Sequence, residues 1–195
     1  MFDGVAGLIA GQAMIHMNAQ AEREAIARLD PASGSHCLVI GFGPGVGLEA
    51  LIDHAPGVRA LGIDPSGAMM RMARRRNAAS INVGRLMLRQ QTLDQLAPSA
   101  GPFDAALAVN SLQFCDPIEA SAAHLATLLR PGARLMTLTH AWAFEHHFGD
   151  LDCYLGRMDA AFRAAGFDAD PHFRGNAEKG TIVGFSASLR GRPPA

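Results

Sequence analysis

Residues 36–47 read His-Cys-Leu-Val-Ile-Gly-Phe-Gly-Pro-Gly-Val-Gly, an apolar run that gives way to glycine at every second position, Gly41, Gly43, Gly45 and Gly47. Glycine removes the side chains that would hold a ligand away from the backbone. A helix starting just after the loop aims its free N–H groups at the same place. About 20 residues later the next apolar run, Ala60-Leu-Gly-Ile-Asp64, closes on a carboxylate, which can accept two hydrogen bonds from a ribose diol. Together these features imply an adenosine-containing cofactor.

The glycine spacing narrows the choice. A dinucleotide fingerprint needs G-x-G-x-x-G, whose third glycine lets the helix pack closely on its strand. Counted from Gly41 that position is Val46, and counted from Gly43 it is Leu48, so both registers fail. No Lys-Ser/Thr pair follows the loop, which excludes a P-loop. What remains is G-x-G-x-G over Gly41, Gly43 and Gly45. A strand-to-helix turn of this kind is also built for steric reasons alone, with no ligand.

The elements that must hold these residues follow from an alternation of short apolar runs with helical segments, the pattern of an α/β fold with a mainly parallel sheet. Helices are predicted over residues 4–29, 46–54, 66–77, 117–129 and 151–165, with a short helical segment near 93–97. Strands are predicted near 36–41, 60–64, 85–90, 103–110, 134–139, 168–174 and 181–189. Asp116-Pro117 reads as the cap and first-turn proline of the fourth long helix, and Pro131-Gly132 as a turn. Residues 140–150 read as a loop or lid. The chain is read as a single domain, with an N-terminal helical lid over 1–30, a sheet core over 36–189 and a frayed tail over 190–195.

Composition sets further bounds. The chain has 195 residues, 49% of them hydrophobic, enough for one large core. No apolar run is long enough to span a bilayer, and the start carries Asp3 with no basic stretch before its apolar part, so neither a membrane span nor a signal peptide is expected. Cys37, Cys115 and Cys153 are odd in number and widely spaced, which suits buried thiols in a reducing cytoplasm better than a disulfide frame or a zinc site. The net charge of −1 gives no reason to expect nucleic acid, and the basic run from Arg71 to Arg76 reads as a solvated helix face.

As a set, the Gly41–Gly45 loop, Gly62-Ile-Asp64-Pro-Ser66 with Met69 after it, Phe103-Asp104 leading to Asn110-Ser111-Leu-Gln113-Phe, and Leu129-Arg130-Pro131-Gly132 resemble the class I S-adenosylmethionine-dependent methyltransferases of the small bacterial type. The resemblance runs from about Met14 to Leu189. It implies a Rossmann-like, doubly wound, seven-stranded sheet, mostly parallel with an antiparallel last strand. It also implies that Gly41, Phe42, Gly43 and Gly45 wrap the methionine and ribose parts of S-adenosyl-L-methionine and that Asp64 holds the ribose hydroxyls. Pro65 and Met69 would flank the adenine, Thr92 and Leu93 would meet its polar edge, and Asn110 would approach the methionyl group. In the family an acidic residue usually stands two positions before the first glycine, where this chain has Val39. The adenine-edge position, often aspartate, is Thr92 here.

Methyl transfer from a sulfonium needs alignment and, for some acceptors, a base. Two segments offer side chains for this. The N-terminal helix carries His16, Met17 and Asn18, and the stretch after the fifth strand carries His140, Trp142, Phe144, Glu145, His146 and His147. His140, at the end of that strand, reads as a base or orienting group, with a purely structural histidine as the alternative. Gln113 reads as a substrate hydrogen-bonder or a loop residue that bonds the backbone. His16, Met17, Asn18, Trp142 and His146 are candidates to line the substrate space. Glu145, His146, His147 and Asp150 match no metal-binding spacing, so no metal is expected. The function this implies is methylation of an oxygen, nitrogen or carbon atom of a small molecule. The alternatives are a same-fold enzyme that uses the cofactor otherwise and a catalytically silent cofactor-binding protein. Monomer and homodimer both remain open.

Overall fold

In this computed structural model residues 18–177 and 180–191 are described, so His16 and Met17, most of the predicted first helix's opening turns and the last four residues lie outside them. The central strands, β1 (His36–Ile40) and β4 (Phe103–Val109), are almost wholly buried, which is why their sequences are continuously apolar and do not alternate. Around them lie β2 (Arg59–Ile63), β3 (Leu86–Arg89), β5 (Leu129–His140), β6 (Phe167–Ala169), β7 (Phe173–Ala177) and β8 (Gly180–Leu189). The sheet order is β3-β2-β1-β4-β5-β8-β6, with β7 also paired to β8. Strands β1 to β5 run parallel, and β8 is antiparallel to β5, β6 and β7.

The order turns back between β1 and β4, whose following loops leave in opposite directions. In an open α/β sheet that divergence makes the ligand crevice. Both the glycine loop after β1 and Asn110 after β4 stand at it.

Helices cover both faces. On one, α1 (residues 18–29), α2 (Val46–His54) and α3 (Gly67–Arg76) pack on Cys37, Val39, Ala105, Leu107 and Leu138. A short helix, α4 (Ala78–Asn82), follows α3. On the other face, α5 (Ile118–Leu128), α6 (Ala141–Phe148) and α7 (Leu151–Ala164) pack on Leu38, Ile40, Ala106, Leu135 and Phe185. No helix among the described residues is long and apolar enough to cross a membrane.

The sheet has eight strands where seven were expected. The run read as one strand over 168–174 is two, because Pro171 falls inside it and has no N–H to give a ladder. The segments on either side, β6 and β7, pair with separate stretches of β8. The expected lid over 140–150 contains the helix α6, which starts without a side-chain cap and so has no start signal in the sequence. It is held by burial of Phe144, whose ring lies 4.7 Å from Tyr154 and 5.2 Å from Phe148.

The expected helical segment near 93–97 is a turn leading to a single 3-10 turn at Pro98–Ala100, since proline stops a helix that has barely nucleated. Asp116 does not cap α5. The residue before that helix is Pro117, and Asp116 reaches Arg157 at 3.4 Å instead. Strand β5 absorbs the expected Pro131-Gly132 turn as an irregularity in its pairing with β4. Of the cysteines only Cys37 is fully buried; Cys115 is half-buried and Cys153 exposed.

Phe162 of α7 is fully enclosed, with its ring 5.2 Å from Phe167 and 5.3 Å from Phe185. Truncation to Phe162→Ala removes a large apolar group and leaves a cavity, so it should cost about 3–5 kcal/mol in denaturant unfolding. A cost below 1 kcal/mol would mean that α7 is not clamped to β8 in this way.

Candidate functional site

The glycine loop adopts a conformation that side chains oppose. Gly41, with φ +67°, donates its N–H to Ile63 O at 2.8 Å, and a Cβ there would collide with Ser111. Gly45, with φ +86°, caps α2, and a Cβ there would stand 2.7 Å from Asn77 Nδ2 and 2.9 Å from Ala73. Phe42 turns its ring inward, so that only its backbone is presented to the crevice. A Cβ at Gly62 would be 2.9 Å from Phe42 Cδ1.

Asp64 secures this loop. One carboxylate oxygen accepts from Gly43 N–H at 2.9 Å and the other from Ser66 N–H at 2.8 Å. Ser66 in turn accepts at Oγ from Met69 N–H at 3.3 Å, which starts α3. The acid therefore joins the end of β1, the end of β2 and the start of α3 at one buried point. Pro65 beside it is exposed, whereas Met69 is buried in the α1–α3 cluster.

After β3, Thr92 is half-buried and donates its N–H to Gln95 Oε1 at 3.0 Å, and Leu93 packs into the core of the opposite face. Gln91, which the sequence reading passed over, holds its amide nitrogen Nε2 enclosed with no hydrogen-bond partner among the described residues. A buried donor without an acceptor is costly and asks for a ligand acceptor or an ordered water. A planar base with ring nitrogens supplies such an acceptor, so the residues present fit an adenosine. Gln91 sits in an irregular stretch without periodicity, and nothing in the sequence marked it.

Asn110 and His140 form the other half of the site. Asn110 has φ +50°, unusual for a residue with a side chain, and its N–H donates to Leu138 O at 2.8 Å. Its Oδ1 accepts from His140 N–H at 2.9 Å and from Thr139 Oγ1 at 3.3 Å. Its Nδ2 lies 3.1 Å from both Asn18 Oδ1 and His140 Nδ1. His140 Nδ1 also lies 3.3 Å from Oδ1, but that oxygen already accepts twice and the contact to Nδ2 is shorter, so we assign Nδ2 as donating to both neighbours. His140 Nδ1 is then an acceptor and Nε2 carries the proton. Burial also holds the His140 pKa below the ordinary histidine value, which keeps the ring neutral. The predicted Asn18, Asn110 and His140 are thus brought into one network by α1, β4 and β5.

Other predicted residues are not drawn in. Gln113 is half-buried on a 3-10 turn, and His146 is exposed on α6 beside His147, with ring centroids 4.7 Å apart. Trp142 is 46% exposed. Phe114, 65% exposed, meets Phe148 at the end of α6 edge-on at 5.0 Å, an apolar pair beside the exposed Glu145, His146 and His147. Among the described residues no three His, Cys, Asp or Glu side chains group as they would around a metal ion.

Residues 38–135 match the methyltransferase domain family. An uncharacterized methyltransferase, YdaC, from Bacillus subtilis (strain 168) is 26% identical over 86% of this chain and 91% of its own. Trans-aconitate 2-methyltransferase from Paracidovorax citrulli (strain AAC00-1) is 35% identical over 57% of this chain. The chain spans 41–42% of the length of the curated relatives that it matches at 30–35% identity. Among solved structures, a chain of the complex between the Haloferax volcanii Trm112 methyltransferase activator and the methyltransferase superposes with a TM-score of 0.77, at 19% identity and 97% coverage of both chains.

Two measurements probe the network. Asn110→Ala loses its side-chain hydrogen bonds and puts a Cβ-bearing residue without local compensation at positive φ, so it should cost about 2–4 kcal/mol, and Asn110→Gly about 1 kcal/mol less. An NMR titration should place His140 below about 6.5. Because its folded pKa is depressed, the stability it contributes is complete above about pH 6.5 and is lost as the pH falls through the lower folded value. A His140 pKa at or above 6.5 would contradict the buried neutral ring.

Proposed function

The chain belongs to the methyltransferase domain family, and from that premise we propose that it transfers a methyl group from S-adenosyl-L-methionine to a small-molecule acceptor. The observation that carries this reading is the hydrogen bond from Gly43 N–H to Asp64, which fixes a side-chain-free loop beside a carboxylate at the point where the strand order reverses.

In this reading Gly41, Phe42, Gly43 and Gly45 offer backbone to the methionine and ribose parts, and Asp64 accepts from the ribose hydroxyls. Pro65 covers the adenine on its exposed side. Met69, being buried, shapes the wall from behind. Thr92 and Leu93 border the adenine edge, and Gln91 Nε2 donates to a ring nitrogen. When bound, the cofactor supplies a methyl group on an already activated sulfur leaving group, so the protein has only to align the acceptor with it.

Asn110 and His140 do that aligning. With Nδ1 accepting from Asn110, the ring presents Nε2–H, a donor that orients an acceptor's oxygen or nitrogen rather than taking its proton. Asn18 stands beside this pair at Asn110, and the exposed rings of Phe114, Phe148 and Trp142 on and beside α6 offer apolar surface that suits a partly apolar substrate. A small substrate agrees with the name of the trans-aconitate 2-methyltransferase relative and with a net charge of −1, which offers no attraction to nucleic acid.

Isothermal titration with S-adenosylhomocysteine tests the cofactor half. Asp64→Ala should weaken binding by at least about tenfold, the loss of a charge-assisted hydrogen bond. Unchanged affinity removes Asp64 from the site. Once an acceptor is known, His140→Ala should lower kcat while leaving cofactor affinity intact, and full turnover would remove His140 from the mechanism.

A further inference from the structure

Glu22 is a carboxyl group that the fold buries with no cation paired to it among the described residues. It projects from α1 one helical turn after Asn18, so the two side chains share a face of that helix. Asn18 meets Asn110 at the end of β4. Glu22 meets the first turn of α2, two residues past the last glycine of the loop. A Cβ added at Gly47 would stand 3.1 Å from its carboxyl carbon and 3.3 Å from Oε1. The face of α1 that reaches the catalytic end of the sheet therefore also lays an acid against the glycine loop's helix.

That acid is 9% exposed, and its Oε2 is enclosed with no hydrogen-bond partner among the described residues. Burial pushes its pKa up to about 8, against the opposing pull of Arg76 at the end of α3, the Gly47 backbone N–H and Arg23 on α1 itself. Neither arginine forms an ion pair with it among the described residues, and Arg76 is shared with Glu49 at 3.4 Å. Strand β1 brings no acid to this face. Val39, two residues before Gly41, lies in the same apolar cluster as Ala21 and Ala25, the neighbours of Glu22.

We propose that Glu22 is the counter-charge for the ammonium group at the amino-acid end of the methyl donor, supplied by α1 across the first turn of α2. The proposal rests on the cofactor reading above. An ammonium carries three donors and a full positive charge, and it gives Oε2 the partner it lacks. It also favours the ionised carboxylate, so at neutral pH the Glu22 proton passes to solvent as the ligand docks and the charges balance. A ligand without the amine leaves the carboxyl enclosed and unmet, which makes Glu22 a determinant of which adenosyl compounds bind.

The test is calorimetry at pH 7 with S-adenosylhomocysteine and its deaminated analogue, each in two buffers of different ionisation enthalpy. In the wild-type chain the amine-bearing ligand should bind about tenfold or more tightly than the analogue. It should also release about one proton more than it does from Glu22→Gln. In Glu22→Gln, which matches the neutral carboxyl in shape and should retain the wild-type melting curve, the two ligands should bind alike. If removing the amine costs the wild type and Glu22→Gln the same affinity, or if proton release is equal in both, the proposal is overturned while the cofactor reading stands. If the wild type binds neither ligand, both fall.

Discussion

The hydrogen bond between Gly43 N–H and the Asp64 carboxylate ties the loop after β1 to the end of β2. A loop of glycines has more conformational freedom to lose than any other, so left alone it would sample many shapes. A buried carboxylate that also receives Ser66 N–H and so begins α3 removes that freedom. The result is a backbone surface held in one conformation, and the neighbouring helices are set in angle by the same few bonds. Asn77 completes the hold from α3 by donating to Gly45 O at 3.0 Å.

The second constraint lies across the crevice. Asn110 adopts a backbone conformation that costs free energy, and the compensation comes from its own amide, which bonds β5 on one side and α1 on the other. Strain of this sort survives only where surrounding structure over-determines it. The network orients His140 and sets its tautomer, so in the proposed reaction the ring's role follows from a neighbouring amide. Positioned donors of this kind suit an in-line displacement with a good leaving group, where alignment matters more than proton abstraction.

The two halves meet through α1, whose one face carries Asn18 to the Asn110 network and Glu22 to α2. A single helix thus touches both walls of the crevice, with its apolar positions Ala21, Ala25, Ile26 and Leu29 buried against the sheet. Any shift of α1 along its axis would disturb both contacts together.

The strand-and-helix alternation, the glycine loop and the acid at the end of β2 were legible from residues alone, because periodicity and glycine spacing are local properties that a linear text preserves. So was the antiparallel close of the sheet, through a family resemblance carried by short motifs. Helix α6 was not, since it has no cap and is held by Phe144 packing on Tyr154. The eighth strand was missed because one proline divides a run that is otherwise strand-like. Gln91 and Glu22 gave no signal, for a buried polar atom without a partner exists only once the chain has closed around it. The bond between Asn18 and Asn110 joins positions 92 apart, and such pairings are decided by which elements the sheet order brings together. Tertiary structure alone therefore decided the tautomer of His140 and the burial of Glu22, because both depend on desolvation and on neighbours that are distant in the chain.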